Sequence, residues 1–156
     1  MMQRTLIILK PDCLQRNLLG EIIKRFENKG LKIAGLKMGK ISDEQIIEHY
    51  SQHKDKPFFG NLQKFMQSAP VIFIVLEGYE AVESIRVIVG PTLGRKADAG
   101  SIRGDYSMSQ ANNIVHASDS PENAEIEIKR FFQPHELFDY YKDDWRWVYH
   151  EDERPA

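Results

Sequence analysis

Five histidines, His49, His53, His116, His135 and His150, could offer a nucleophilic nitrogen or exchange a proton near neutral pH. Four of them, His49, His53, His135 and His150, sit among charged or polar neighbours and read as exposed or helix-surface groups. His116 is set apart. Ile114 and Val115 precede it and Ala117-Ser118-Asp119-Ser120 follow, at the junction of a short apolar strand and a capped helix. A side chain there is held beside a helix N-terminus, whose free backbone N–H groups favour an anion. On these features alone, a satisfied core histidine and a catalytic one are equally good readings. The cations admit two readings as well. Arg86, Arg95, Lys96 and Arg103 fall in or beside one long loop, and Lys10 ends the first apolar run. They could be solvated surface charges. However, Gly104 follows Arg103, Thr92 lies in a Gly/Pro-rich frame, and guanidinium groups match phosphate oxygens bidentately, so a polyphosphate site is the rival.

The elements that must position these groups are legible from periodicity. Thr5 to Leu9 is a β-branched and aliphatic run closed by Pro11, which predicts a buried central strand with Lys10 at its end. Leu18, Ile22, Ile23 and Phe26 recur at helical spacing, with Gly30 as a stop. Leu31 to Met38 reads as a second strand. Ser42-Asp43 can cap a helix carrying Ile46, Ile47 and Tyr50, and Leu62, Phe65 and Met66 fit a further short helix. Pro70 to Leu76 predicts a third strand, followed by a turn at Gly78 and a helix using Val82, Ile85 and Val89. Periodicity disappears from Gly90 to Gly104, a length of loop that is usually functional or disordered. Ile114 to His116 is a short strand. Ser120-Pro121-Glu122 then opens a helix burying Ala124, Ile128, Phe131 and Phe132. Strands alternating with helices imply an α/β sandwich, with helices packed on a sheet too small for a doubly wound architecture.

A length of 156 residues suits one domain, and 42% hydrophobic with 28% charged residues is ordinary globular composition. The net charge of −2 gives no general attraction to nucleic acid or anionic lipid, so any anion site must be local. The lone Cys13 cannot form an internal disulfide and no Cys/His cluster has metal-ligand spacing, which fits a reducing, cytoplasmic setting. No signal-peptide core or apolar run of transmembrane length is present. Neither a G-x-G-x-x-G nor a Walker-type lysine loop occurs.

Asn113-Ile114-Val115-His116-Ala117-Ser118-Asp119 matches an N-x-x-H-[G/A]-S-D pattern, and through it the chain resembles the nucleoside diphosphate kinases. Thr5 to Asp12, Gly20 to Ile23 with Phe26, His49-Tyr50, Pro57 to Phe59, Gly90 to Thr92 and Ile102 to Asp105 are similar to that family in its order, from about residue 3 to about residue 149. Departures are Asn112, where arginine is often seen, the loop tip Leu93 to Lys96, and the longer, more charged ending from Trp145.

The resemblance implies a ferredoxin-like α+β sandwich with a four-stranded antiparallel sheet, one domain over residues 1–156 with about 145–156 as an extension, and assembly into tetramers or hexamers. Exposed aromatics near Trp145 and Trp147 support assembly. It implies transfer of the γ-phosphoryl group of a nucleoside triphosphate to a nucleoside diphosphate through phosphohistidine at His116. Phe58 would stack on the base, Lys10 and Asn113 would reach the sugar hydroxyls and reacting phosphate, and Arg86, Thr92 and Arg103 would hold phosphates. Tyr50 would lie near the reacting group, Glu127 would support the histidine, and Ser118 and Asp119 would complete the pocket. Mg²⁺ would arrive with the nucleotide, with Asp119 the one carboxylate offered to it. The nucleophilic ring nitrogen must be neutral, so the other must donate its proton to a fixed acceptor, Glu127 or a backbone carbonyl. The rival from another class is a non-catalytic module that binds nucleotide or single-stranded nucleic acid on the same fold.

Overall fold

A computed structural model describes residues 1–154; Pro155 and Ala156, the end of the expected extension, lie outside the described residues. Four strands, β1 (Met2–Leu9), β2 (Lys32–Gly39), β3 (Val71–Tyr79) and β4 (Val115–Ala117), form one sheet in the order β2-β3-β1-β4. Every pairing is antiparallel. This is the ferredoxin-like arrangement that the resemblance implies.

The central strands β1 and β3 are buried on both sides, which explains their unbroken apolar runs. Alternation sorts their side chains. Ile7, Leu9, Ile72, Ile74 and Leu76 pack with Ile22 and Phe26 of α2 (Leu19–Asn28) and with Ile85 and Val89 of α5 (Ala81–Val89). Leu6, Ile8, Phe73 and Val75 join Ile46 of α3 (Asp43–His49), Met66 of α4 (Phe59–Met66), and Ile128 and Phe131 of α7 (Pro121–Phe131). Ser42 caps α3 in a reciprocal capping box with Gln45, and the Ser120 hydroxyl caps α7 through Asn123 N–H.

Four local expectations need correction. The chain does not turn at Gly78, which pairs with Gln3 inside β3. The reversal comes at Glu80, in left-handed conformation at φ 48°. Pro11 does not merely end a strand; it opens a short helix α1 (Pro11–Gln15), since a first-turn proline loses no helical hydrogen bond. The unpatterned stretch after Gly90 also holds structure, a 3₁₀ turn at Gly94–Lys96 and a helix α6 (Ile102–Tyr106). Finally, Trp145 is not exposed. It opens the short helix α8 (Trp145–Val148), is buried, and donates from its indole N–H to the Gly30 carbonyl at 2.8 Å, whereas Trp147 is open to solvent.

Candidate active site

The C-terminal end of β1 delivers Lys10 into a cleft of about 1190 Å³, and β4, its antiparallel neighbour, delivers His116 into the same space. Tyr50 and Phe58 line it from the segment between α3 and α4, Arg86 from α5, Thr92 and Arg103 from the long loop and α6, and Asp119 and Glu127 from the start and body of α7. Asn113 lines it too. Ser118 does not; it is buried behind the cleft.

His116 is fixed from behind. Its Nε2 lies 3.0 Å from Glu127 Oε2, which also accepts the Ser118 hydroxyl at 2.6 Å. Burial raises the Glu127 carboxyl, but the His116 hydrogen bond and charge, with the Ser118 hydroxyl, outweigh it and hold the group below its ordinary value. A carboxylate can only accept, so Nε2 is the nitrogen that carries the proton, and whenever the ring is neutral its lone pair is on Nδ1. Of the two acceptors left open by the sequence, Glu127 is the one found.

The backbone before His116 is strained. Ile114, a β-branched residue, has φ 74°. Val115 N–H donates to the Asn113 carbonyl at 2.8 Å across it, closing a γ-turn of the rarer, strained kind. The turn is clamped on both sides. Ile114 N–H donates to Asp12 Oδ2 at 3.0 Å, and its carbonyl accepts Lys10 N–H at 2.8 Å.

The cations are braced rather than free. Lys10 Nζ donates to Asn113 Oδ1 at 2.7 Å, and burial, then the charge of Arg103, lower its pKa to about 8. Asn113 in turn donates to the carbonyls of Thr92 and Gln110, so its amide N–H groups are committed and only its oxygen, which already accepts from Lys10, is left for a further partner. Arg103 is buried and donates to the carbonyls of Asn113, Gly90 and Val115 at 3.3, 2.9 and 2.6 Å. Burial, then Arg86, lower its pKa to about 10, which leaves it charged at neutral pH. Gly90 can present its carbonyl this way because it adopts φ 85°, where a Cβ would meet Ser101 Oγ at 2.7 Å. Burial and the negative Glu127 push the Tyr50 phenol up, so it is neutral. Phe58 is half exposed at the mouth, a free aromatic face 5.4 Å from the His53 ring.

His49 is a correction. It is not a surface histidine: its side chain is 1% exposed and its ring meets the His116 ring edge-on at 4.5 Å. The signal was available, since His49 stands three residues after Ile46 on the buried face of α3. His53 also lines the cleft, while His135 and His150 are exposed as expected. Arg130, one turn beyond Glu127 on α7, is a second residue that the sequence did not single out. Its Nη1 reaches His49 Nδ1 at 3.1 Å. The ligand atoms of His49, His116 and Glu127 lie within 4.8 Å of one another, but with a guanidinium against one and a hydroxyl on another they form a hydrogen-bonded cluster, not a metal centre.

The profile of the nucleoside diphosphate kinase family matches residues 3–137. A nucleoside diphosphate kinase of Parabacteroides distasonis is 55% identical over 89% of this chain and 91% of its own length, and one of Staphylothermus marinus is 52% identical over 88% and 98%. A halophilic nucleoside diphosphate kinase from Halobacterium salinarum, solved in complex with CDP, superposes with a TM-score of 0.93 at 42% identity, covering 96% of this chain and 100% of that one.

Proposed function

Since the chain belongs to the nucleoside diphosphate kinase family and carries its nucleotide phosphotransferase activity, we propose that the phosphoryl group crosses in two half-reactions through Nδ1 of His116. The observation that carries this reading is the Nε2 contact to Glu127 at 3.0 Å, which leaves Nδ1 as the nucleophilic nitrogen. In the first half-reaction Nδ1 attacks the γ-phosphorus of a nucleoside triphosphate. The P–N bond forms as the P–O bond breaks, and the electron pair leaves on the β-phosphate oxygen of the diphosphate. The Nε2 proton stays between His116 and Glu127, stabilising the charge gained by the ring. A second nucleoside diphosphate then takes the phosphoryl group by the reverse path in the same cleft, giving ping-pong kinetics.

Phosphoryl transfer needs mainly alignment and neutralised oxygens. Lys10, Arg86 and Arg103 face the cleft with positive charge, and Thr92 adds a hydroxyl. Phe58 offers a face to any base, without selecting one. Mg²⁺ fits as an ion borne by the nucleotide: Asp119 is an exposed carboxylate on the rim, with one oxygen taken by Asn123, and one carboxylate plus phosphates is a usual set for this ion. Bound there, it would neutralise phosphate charge. A non-catalytic binding module is the weaker reading, because simple binding gives no role to a histidine held in one tautomer inside this cleft.

No helix among the described residues is long and apolar enough to cross a membrane. We expect work in a reducing cytoplasm, and the buried free thiol of Cys13 supports that setting. Assembly into a homotetramer or homohexamer is supported by Leu36 and Met38, exposed on the edge strand β2.

The test is intact mass after incubation with magnesium and ATP. A gain of one phosphoryl group, acid-labile and discharged by any common nucleoside diphosphate, is expected. His116→Gln should not gain it, and full labelling of that variant would reassign the nucleophile.

A further inference from the structure

Two imidazoles flank one partly buried carboxylate in this cleft. His116 is bound to Oε2 of Glu127, while His49 Nδ1 stands 3.8 Å from Oε1, just outside hydrogen-bond range. A rotation of either side chain by a few tenths of an ångström would bring a protonated His49 Nδ1 onto Glu127. The same carboxylate would then serve two donors, and its hold on the nucleophile would weaken.

Arg130 blocks that exchange. A guanidinium has only donors, so the 3.1 Å contact from its Nη1 makes His49 Nδ1 the acceptor and places the His49 proton on Nε2. Arg130 is itself largely buried, with its side chain 10% exposed, and its Nε makes a charge contact at 3.1 Å with a carboxylate oxygen of Glu48, without hydrogen-bond geometry. Glu48, His49 and Tyr50 are consecutive on α3 and its C-cap, whereas Glu127 and Arg130 are one turn apart on α7, so the contacts join two helices behind the nucleophile.

We propose that Arg130 is a positioning residue that locks His49 in its neutral Nε2–H tautomer and thereby reserves Glu127 for His116. The groups facing His49 are His116 on β4, Glu127 and Arg130 on α7, Lys10 at the end of β1, and Tyr50 at the end of its own helix. Only Glu127 favours a proton on His49. Burial first, then the charges of His116, Arg130 and Lys10, oppose it and lower its pKa to about 3. Without Arg130, one opposing charge and the hydrogen bond that fills the Nδ1 lone pair both go. A neutral His49 can then carry its proton on Nδ1 and donate it to Glu127 Oε1, and protonation becomes easier as pH falls.

This inference rests on His116 being the nucleophile, so its test has a readout independent of phosphorylation. Long-range ¹H–¹⁵N spectra of the imidazoles, recorded on the whole protein without nucleotide, report the tautomer of each histidine. The wild type should show His49 neutral with the proton on Nε2 down to pH 5. Arg130→Met should move the proton to Nδ1, and Arg130→Lys, which keeps a donor, should restore Nε2–H. In single turnover with magnesium and ATP, Arg130→Met should slow phosphoenzyme formation about tenfold, the worth of one charge-assisted hydrogen bond, at pH 8 as well as at pH 6, because the neutral tautomer competes for Glu127 at either pH, with nucleotide affinity unchanged. Adding His49→Leu to Arg130→Met should recover most of that loss, because no second imidazole then competes. A merely structural role would give a loss deepened by the second substitution; that result overturns the proposal. So does an Nδ1–H proton on His49 in the wild type, which can be read even if Arg130→Met fails to fold, or a tautomer unmoved in that variant. If the spectra behave as expected but intact mass shows no phosphohistidine at His116, the tautomer lock stands and the nucleophile assignment falls.

Discussion

At the residue scale, the cleft works through side chains whose state is set by what lies behind them. Lys10 is the clearest case. Its pKa of about 8, well below the ordinary 10.5, means that the free protein loses this charge as pH rises through 8. Because kcat/KM reports the free enzyme, it should fall above that pH, while kcat should hold to higher pH since bound phosphate raises the lysine again. Stability moves the other way. Between pH 8 and 10.5 the unfolded chain holds the proton that the folded one has shed, so folding free energy gains as pH rises across that window. Lys10→Met should show neither the limb in kcat/KM nor the gain in stability; a wild-type profile flat to pH 10 would reject the assignment. Single residues were also where the sequence was least legible. His116 stood out by context, but which of its nitrogens is left free depends on Glu127, eleven residues away. The charged and polar neighbours of His49 hid its burial, because neighbours in sequence point to other faces of a helix.

At the element scale, most of what positions the cleft was legible. The apolar runs of β1 and β3 and the helical spacings in α2, α5 and α7 are consequences of burial on a repeating face, which a sequence carries directly. Misreadings came where backbone conformation was decided without a pattern: the left-handed turn at Glu80, the helix opened by Pro11, and α6 inside the loop after Gly90. The arm from Tyr50 to α4 illustrates an element whose job is contact rather than support. Phe58 sits at its tip, half exposed, so its ring contributes little to the core. Phe58→Ala should leave the melting temperature nearly unchanged and weaken binding of purine and pyrimidine nucleotides alike, by roughly 1–3 kcal/mol with some purine bias. Calorimetric titration of four nucleoside diphosphates checks this. Loss confined to one base would mean that base edges are read, and would count against stacking as the means of recognition.

At the scale of the whole molecule, the sheet leaves β2 as an edge with Leu36 and Met38 exposed, and Phe138, Tyr141 and Trp147 stand open elsewhere. Light scattering at micromolar concentration should therefore report an oligomer, and Leu36→Lys with Met38→Lys should reduce its size; a monomer at all concentrations would reject the reading. The sequence could suggest assembly only by resemblance, since an exposed edge is a property of the closed fold. The γ-turn at Ile114 costs about 1–3 kcal/mol, yet the side chain of Ile114 is fully buried, and burying such a group is worth about 2–5 kcal/mol. The core therefore holds the bend closed. Ile114→Ala removes the grip and keeps the bend, whereas Ile114→Gly removes the grip and lets the bend relax, so by thermal melting the glycine variant should be the more stable of the two, against the usual ranking. The same anchor couples His116 to the interior: damage that loosens the packing around Ile114 should lower the melting temperature and turnover together.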